Sequence, residues 1–123
     1  MTDTINSFRD LEVWKVACDL AEKAYRVTAG FPKQEAYGLT DQMRRAAVSV
    51  PSNIAEGAGR LGPTEYRHFL SIALGSLAEL RTQAELSRRF RYLTDEQAQD
   101  LDRDITRVES MTWKLHRSLG QPR

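Results

Sequence analysis

The chain carries a single cysteine, Cys18, so it has no internal disulfide framework, and a lone thiol fits a reducing compartment. Histidine is almost as scarce, with only 2 residues, His68 and His116. That leaves little material for a zinc or iron cluster. Long apolar runs are missing: nothing approaches the ~20 residues that cross a bilayer. The opening MTDTINSFRD holds no apolar segment of the kind a secretory leader needs, so no signal peptide and a cytoplasmic location are expected. An excess of one charge is missing too. Lys and Arg number 18 against 17 Asp and Glu, for a net charge of +1. The whole chain is therefore no electrostatic magnet for nucleic acid or membrane. Any basic surface must come from local sorting, or from an oligomer that gathers charge in one place.

Period-two alternation is absent, which predicts no strands. Glycine-rich phosphate loops and a nucleophile elbow are absent as well. Gly57-x-Gly59 follows a helical pattern rather than a strand, so it is a poor dinucleotide signal.

Helical periodicity is what remains, and it is strong. At 123 residues the chain is long enough for one domain with one core, spanning residues 1–123. The first helix is predicted from about Asp10 to Ala29. Leu11, Trp14, Cys18, Ala21 and Tyr25 recur at spacings of three and four, and Val13, Ala17, Leu20, Ala24 and Val27 form a second row beside them. Gly30 and Pro32 stop it. The second is predicted from about Gln34 to Arg60, with Leu39, Met43, Ala46, Val50 and Ile54 as its stripe, and Gly57, Gly59 and Gly62 at its fraying end.

A third helix is expected from Pro63, which suits a first helical turn, to about Phe90. Its stripe is Tyr66, Phe69, Ala73, Leu77, Leu80 and Ala84, widened by Leu70, Ile72 and Leu74. The fourth is expected from Thr94 to about Leu119, opened by a capping box of Thr94 and Gln97 and closed by Gly120 and Pro122. Four long helices on short loops predict an all-α, up-down-up-down antiparallel four-helix bundle. The first and third helices carry more apolar width than one bundle face needs. Either the core is unusually broad or part of that width is a protein–protein contact.

The segment from Arg44 to Arg60 departs from a plain amphipathic helix. Pro51 sits inside it, where a proline removes one i→i−4 hydrogen bond and presses on the carbonyl four residues back, that of Ala47. The apolar stripe continues in phase across Pro51, which favours one helix kinked there over two separate helices. Ser49, Ser52, Asn53, Glu56 and Arg60 surround the proline and read as a structural kink network. Asn53 or Ser52 is placed to satisfy freed carbonyls. Glu56 is placed to pair either with Arg60 at i+4 or with Arg45 across the bend.

Candidate chemistry is thin. Glu65 and His68 stand at i, i+3 on a helix, as in di-iron bundles, but such sites need the motif twice, and His116 has no glutamate three before it. First-turn surface residues are the better reading, with Glu65 favouring the helix dipole. Cys18 lies on an apolar stripe with no activating base and reads as inert. No catalytic residue, metal or cofactor is expected. Basic residues form local groups: Arg44 and Arg45 before the proline, Arg81 and Arg88 on the third helix with Arg89 and Arg91 nearby, and Arg103, Arg107, Lys114 and Arg117 along the solvent face of the fourth. Arg44, Arg45, Arg81, Arg88, Arg89 and Arg91 are candidate phosphate contacts that do not read sequence, while helix-terminus cations and solvated faces explain each group singly.

These blocks resemble a known family. Phe8-Arg9-Asp10-Leu11-Glu12-Val13-Trp14-Lys15, Phe31-Pro32 and Tyr37-Gly38-Leu39 lead to Arg45-Ala46-Ala47-Val48-Ser49-Val50 and Asn53-Ile54-Ala55-Glu56-Gly57. Glu65-Tyr66, Phe69-Leu70, Ile72-Ala73 and Gly75-Ser76-Leu77-Ala78-Glu79-Leu80 follow. In this order they resemble the four-helix-bundle proteins encoded in intervening sequences of bacterial 23S rRNA genes, over about Phe8 to Leu119. The resemblance implies a ring-shaped homopentamer with no catalytic residues. A related branch, similar in size and layout, includes the accessory protein of diversity-generating retroelements, which binds nucleic acid and a reverse transcriptase. The expected function is thus a non-enzymatic oligomeric scaffold holding RNA or DNA weakly through clustered arginines. The alternative is a module that docks a partner protein without nucleic acid, and a metal-dependent bundle enzyme is the remote third.

Overall fold

A computed structural model describes residues 7–120. The opening MTDTIN and the expected helix stop at Pro122 lie outside the described residues. Four helices make up the architecture: α1, Glu12–Thr28; α2, Leu39–Ala58; α3, Pro63–Arg89; and α4, Asp95–Leu119. Short 3-10 turns at Phe8–Asp10 and Lys33–Glu35 precede α1 and α2, and no strand occurs among the described residues.

Each helix packs on two others, in the cycle α1–α2–α3–α4–α1. That is the contact pattern of a four-helix bundle. Cross-helix bonds show that α3 and α4 run oppositely: Arg67 reaches Leu119, Arg81 reaches Thr106, and Arg88 reaches Asp95. Between α2 and α3, Met43 meets Ser87 and Ser49 meets Ser76, again in opposite order.

Local chemistry sets the helix ends. Gln97 N–H donates to Thr94 Oγ1 at 3.0 Å and Thr94 N–H donates to Gln97 Oε1 at 2.9 Å, closing the capping box of α4. At its other end Arg67 of α3 donates to the Leu119 carbonyl at 2.9 Å, satisfying an orphan acceptor with a cation. Pro63 opens α3 at a position that lacks an intrahelical N–H partner anyway. The start of α2 differs from the expected Gln34. Residues 33–38 form the 3-10 turn and tight turns instead, because the Glu35 side chain folds forward to accept the Leu39 N–H at 3.0 Å. A residue used as a cap lies outside the helix it caps.

One stripe per helix fills the core. Leu20, Val50, Ile54, Leu70, Leu77, Leu101, Ile105 and Val108 are all almost fully buried. Burying one such side chain is worth about 1.5–3 kcal/mol. Of the two apolar rows on α1, the buried one holds Val13, Ala17, Leu20 and Ala24. The α2–α3 turn is drawn tight: a Cβ on Gly57 would lie 3.0 Å from both Tyr66 Cδ1 and Phe69 Cβ, so only glycine lets the helices approach this closely there.

Candidate interaction surfaces

Helix α2 continues through Pro51, which is buried. Beside it, Asn53 Nδ2 donates to the Ser49 carbonyl at 2.8 Å and to Ser49 Oγ at 2.9 Å, and Ser49 Oγ bonds Ser76 Oγ of α3 at 2.8 Å. The carbonyl engaged by Asn53 is therefore that of Ser49, and among the described residues no side chain donates to the Ala47 carbonyl that proline frees. Ser52 is exposed and makes no side-chain hydrogen bond among the described residues. Glu56 pairs with Arg60, whose guanidinium also lies 3.8 Å from Glu65 and stacks 4.8 Å above the Phe69 ring. Arg45 goes to Asp41 instead, at 2.9 Å. The residues around the proline thus fall into two groups: a serine–asparagine link between α2 and α3, and an ion-pair cluster at the α2–α3 turn.

The six candidate arginines do not share one surface. Arg44 Nε donates to Thr28 Oγ1 at 2.8 Å, a second nitrogen reaches the Tyr25 carbonyl at 3.2 Å, and the guanidinium lies 4.4 Å over the Tyr25 ring. It ties α2 to the end of α1. Arg81 is enclosed by α4, with Asp102 at 3.0 Å, both carboxylate oxygens of Glu109 at 3.1 Å and Thr106 Oγ1 at 2.8 Å. Partial burial works against its charge, but the two carboxylates outweigh that and push its pKa higher still.

Arg88 and Arg89 both bind Glu85, at 2.7 and 2.9 Å, and Arg88 also reaches Asp95 at 3.5 Å. Hydrogen bonds from Arg88 and then Arg89 lower the Glu85 carboxyl to about 2. Arg91 is exposed and makes no ion pair among the described residues. Arg88, Arg89 and Arg91 line one hollow of about 510 Å³ at the α3–α4 turn.

The less buried row of α1 has a distinct role. Trp14, Cys18, Ala21 and Tyr25 form one wall of a groove of about 650 Å³, and Val48, Pro51 and Ala55 of α2 form the other. Tyr25 and Val48 are 46% and 42% exposed, so this apolar width faces outward. Burial first, then the nearby Asp19 and Glu22, push the Cys18 thiol up, which keeps it protonated and unreactive. Glu65 is engaged by Arg60, and His68 packs edge-on to Phe69 with ring centroids 5.4 Å apart. Among the described residues no three His, Cys, Asp or Glu side chains gather in a metal-holding group, and no helix is long and apolar enough to cross a membrane.

Sequence reasoning missed the partners more than the residues. Asp102, Thr106 and Glu109 stand at spacings of four and three on one face of α4, a legible pattern, but their convergence on Arg81 depends on how α3 and α4 are registered. Phe90 is 54% exposed at the end of α3, and its place at a helix boundary gives no sequence signal of that exposure.

The sequence matches no protein of curated function. Among solved structures, the chain is similar to a protein of unknown function from the S23 ribosomal protein family of Bacteroides thetaiotaomicron. The TM-score is 0.76 at 22% identity, covering 85% of this chain and 97% of that one, a likeness of fold. Residues 9–114 match the family described as 23S rRNA-intervening sequence protein, nearly the whole of the four helices. The chain belongs to the 23S rRNA-intervening sequence protein family.

Proposed function

We propose that this protein is a non-enzymatic scaffold that assembles from copies of itself. The observation carrying this reading is the α1–α2 groove, where the apolar row from Trp14 to Tyr25 is only partly covered and the facing Val48 is exposed. An apolar face of this kind marks an interaction site. Head-to-tail contact, in which the groove of one copy takes a different face of the next, closes into a ring when the rotation allows. Five copies is the number the resemblance implies, and the lone Cys18 fits a cytoplasmic compartment.

Val48→Glu tests the assembly. A carboxylate in the groove should release monomers in light scattering while leaving helical content intact. An unchanged particle mass would remove the groove from the contact, and a monomeric parent protein would remove the reading.

A second reading adds weak association with RNA or DNA. It is favoured by the α3–α4 turn, where Arg88 and Arg89 share Glu85, Arg88 reaches Asp95, and Arg91 has no ion pair among the described residues. The likeness in layout to the accessory protein of diversity-generating retroelements supports it too. A ring would repeat the cluster once per copy, and phosphate affinity grows with the number of charges engaged. Gel shifts against salt check this, and no shift even at low salt would end it.

A further inference from the structure

The α1–α2 groove is mostly apolar, but two exposed charged side chains of α1, Glu22 and Arg26, also line it. A groove of this make suits a helix face that is nearly free of charge and carries one carboxylate.

The outer row of α3 is such a face. Ile72, Gly75, Glu79, Thr82 and Leu86 follow one another at spacings of three and four, and all five are exposed. That is the spacing of a seam between packed helices. The outer row of α4 instead carries Arg103, Arg107, Lys114 and Arg117, as a row facing water does. On α3 the row holds a single charge, Glu79. Neither Glu79 nor Arg26 makes an ion pair among the described residues. The Thr82 hydroxyl donates to the Ala78 carbonyl of its own helix at 3.0 Å, so it needs no partner from solvent.

Gly75 sharpens the point. Glycine weakens a helix interior, and it is kept where a backbone must come close. Within the chain nothing asks for it: a Cβ on Gly75 would have no neighbour within 4 Å, whereas one on Gly57 would meet Tyr66 and Phe69 at 3.0 Å. The close approach that explains Gly57 lies inside the bundle, and the one that suits Gly75 lies outside it.

We propose that the outer row of α3 in one copy seats in the α1–α2 groove of the next, with Gly75 admitting the exposed Tyr25 and Val48 and Glu79 meeting Arg26. The seating rests on the self-assembly reading above and names the face that the groove takes. Glu22 lies one turn from Arg26, and Gly75 and Thr82 lie one turn to either side of Glu79, so no like charges meet. Each copy gives one face and receives another, the arrangement that a ring needs.

Light scattering of the full-length protein and its variants tests the seating. Gly75→Gln fills open space without a clash inside the chain, so helical content should hold while the particle mass falls to that of one subunit. Mixed in equal amounts with Val48→Glu, it should form pairs of twice the subunit mass, because each variant keeps the half that the other has lost. Glu79→Arg should raise the dissociation constant of the assembly about tenfold, and Arg26→Glu in the same chain should restore it. That exchange reads the contact without changing the core. A Gly75→Gln protein of parental mass, a mixture that stays at one subunit, or a double variant that does not recover would overturn the seating. If Val48→Glu alone still releases monomers, the groove then takes some other face. A parent protein that is monomeric throughout would overturn both readings.

Discussion

Arg81 on α3 grips Glu109 on α4 with one nitrogen 3.1 Å from each carboxylate oxygen, across 28 residues of sequence. Asp102 and Thr106 complete the enclosure, so this arginine joins two helices rather than waiting for a ligand. Charge-assisted bonds are worth about 1.5–3 kcal/mol when well shielded. The Arg81 side chain is 35% exposed, so solvent screening reduces that value. Arg81→Ala should cost about 1 kcal/mol in urea unfolding. An unchanged midpoint would show that α4 holds no net energy through this contact.

Gly38 and Glu35 form a second linked pair. Glu35 caps α2 through the Leu39 N–H, and hydrogen bonds from Leu39 and then Tyr92 lower its carboxyl pKa. A Cβ on Gly38 would lie 2.8 Å from Glu35 Oε1, so alanine must push the cap aside. Gly38→Ala should therefore cost about 0.5–2 kcal/mol, the worth of a helix cap. Glu35→Ala should cost a similar amount, and the double variant should cost little more than either alone. Additive losses would show that the two residues act separately.

The seam of α4 gives the largest expected loss. Ile105 is fully buried. Ile105→Ala removes its burial and leaves a cavity, for about 2–5 kcal/mol. Denaturant unfolding of the purified protein reads this directly, and a loss too small to resolve would mean the seam relaxes around the gap.

Glu85 sets an acid response. Its carboxyl sits at about 2 in the folded chain, because Arg88 and Arg89 favour the charged form. An unfolded glutamate titrates near ~4.3. The group's contribution is thus complete above the unfolded value and is lost as pH falls toward about 2. Glu85→Gln has no such contribution to lose. The stability gap between parent and variant should shrink between about pH 6 and about pH 2, measured as urea midpoints. A constant gap would mean that the arginines do not hold this carboxylate in solution.

Much of the fold was legible because its signals are local. Leu101, Ile105, Val108 and Thr112 keep a spacing of three and four, and all four are buried. The Thr94–Gln97 capping box lies within four residues and formed as its sequence implies. The start of α2 was less legible. Glu35 looks like any first-turn glutamate until its side chain bends to Leu39 and its other oxygen accepts from Tyr92, 57 residues away.

The candidate surfaces were legible only as residue types. Two apolar rows on α1 were plain in the sequence, and the structure turned one of them inward and left Trp14, Cys18, Ala21 and Tyr25 along an open groove. Arginines were plain as well, but nothing near Arg44 in the sequence names Thr28, and nothing near Arg81 names Glu109.

By itself, the sequence determined four helices, most of their ends and the stripes that face the core. Periodicity and capping act over a few residues, and the chain carries them in order. Only the tertiary structure decided which apolar row is buried, which arginines are neutralised and which stand clear at the α3–α4 turn. Those outcomes depend on the register of helices distant in sequence, and that register is set by the packing of the whole core at once.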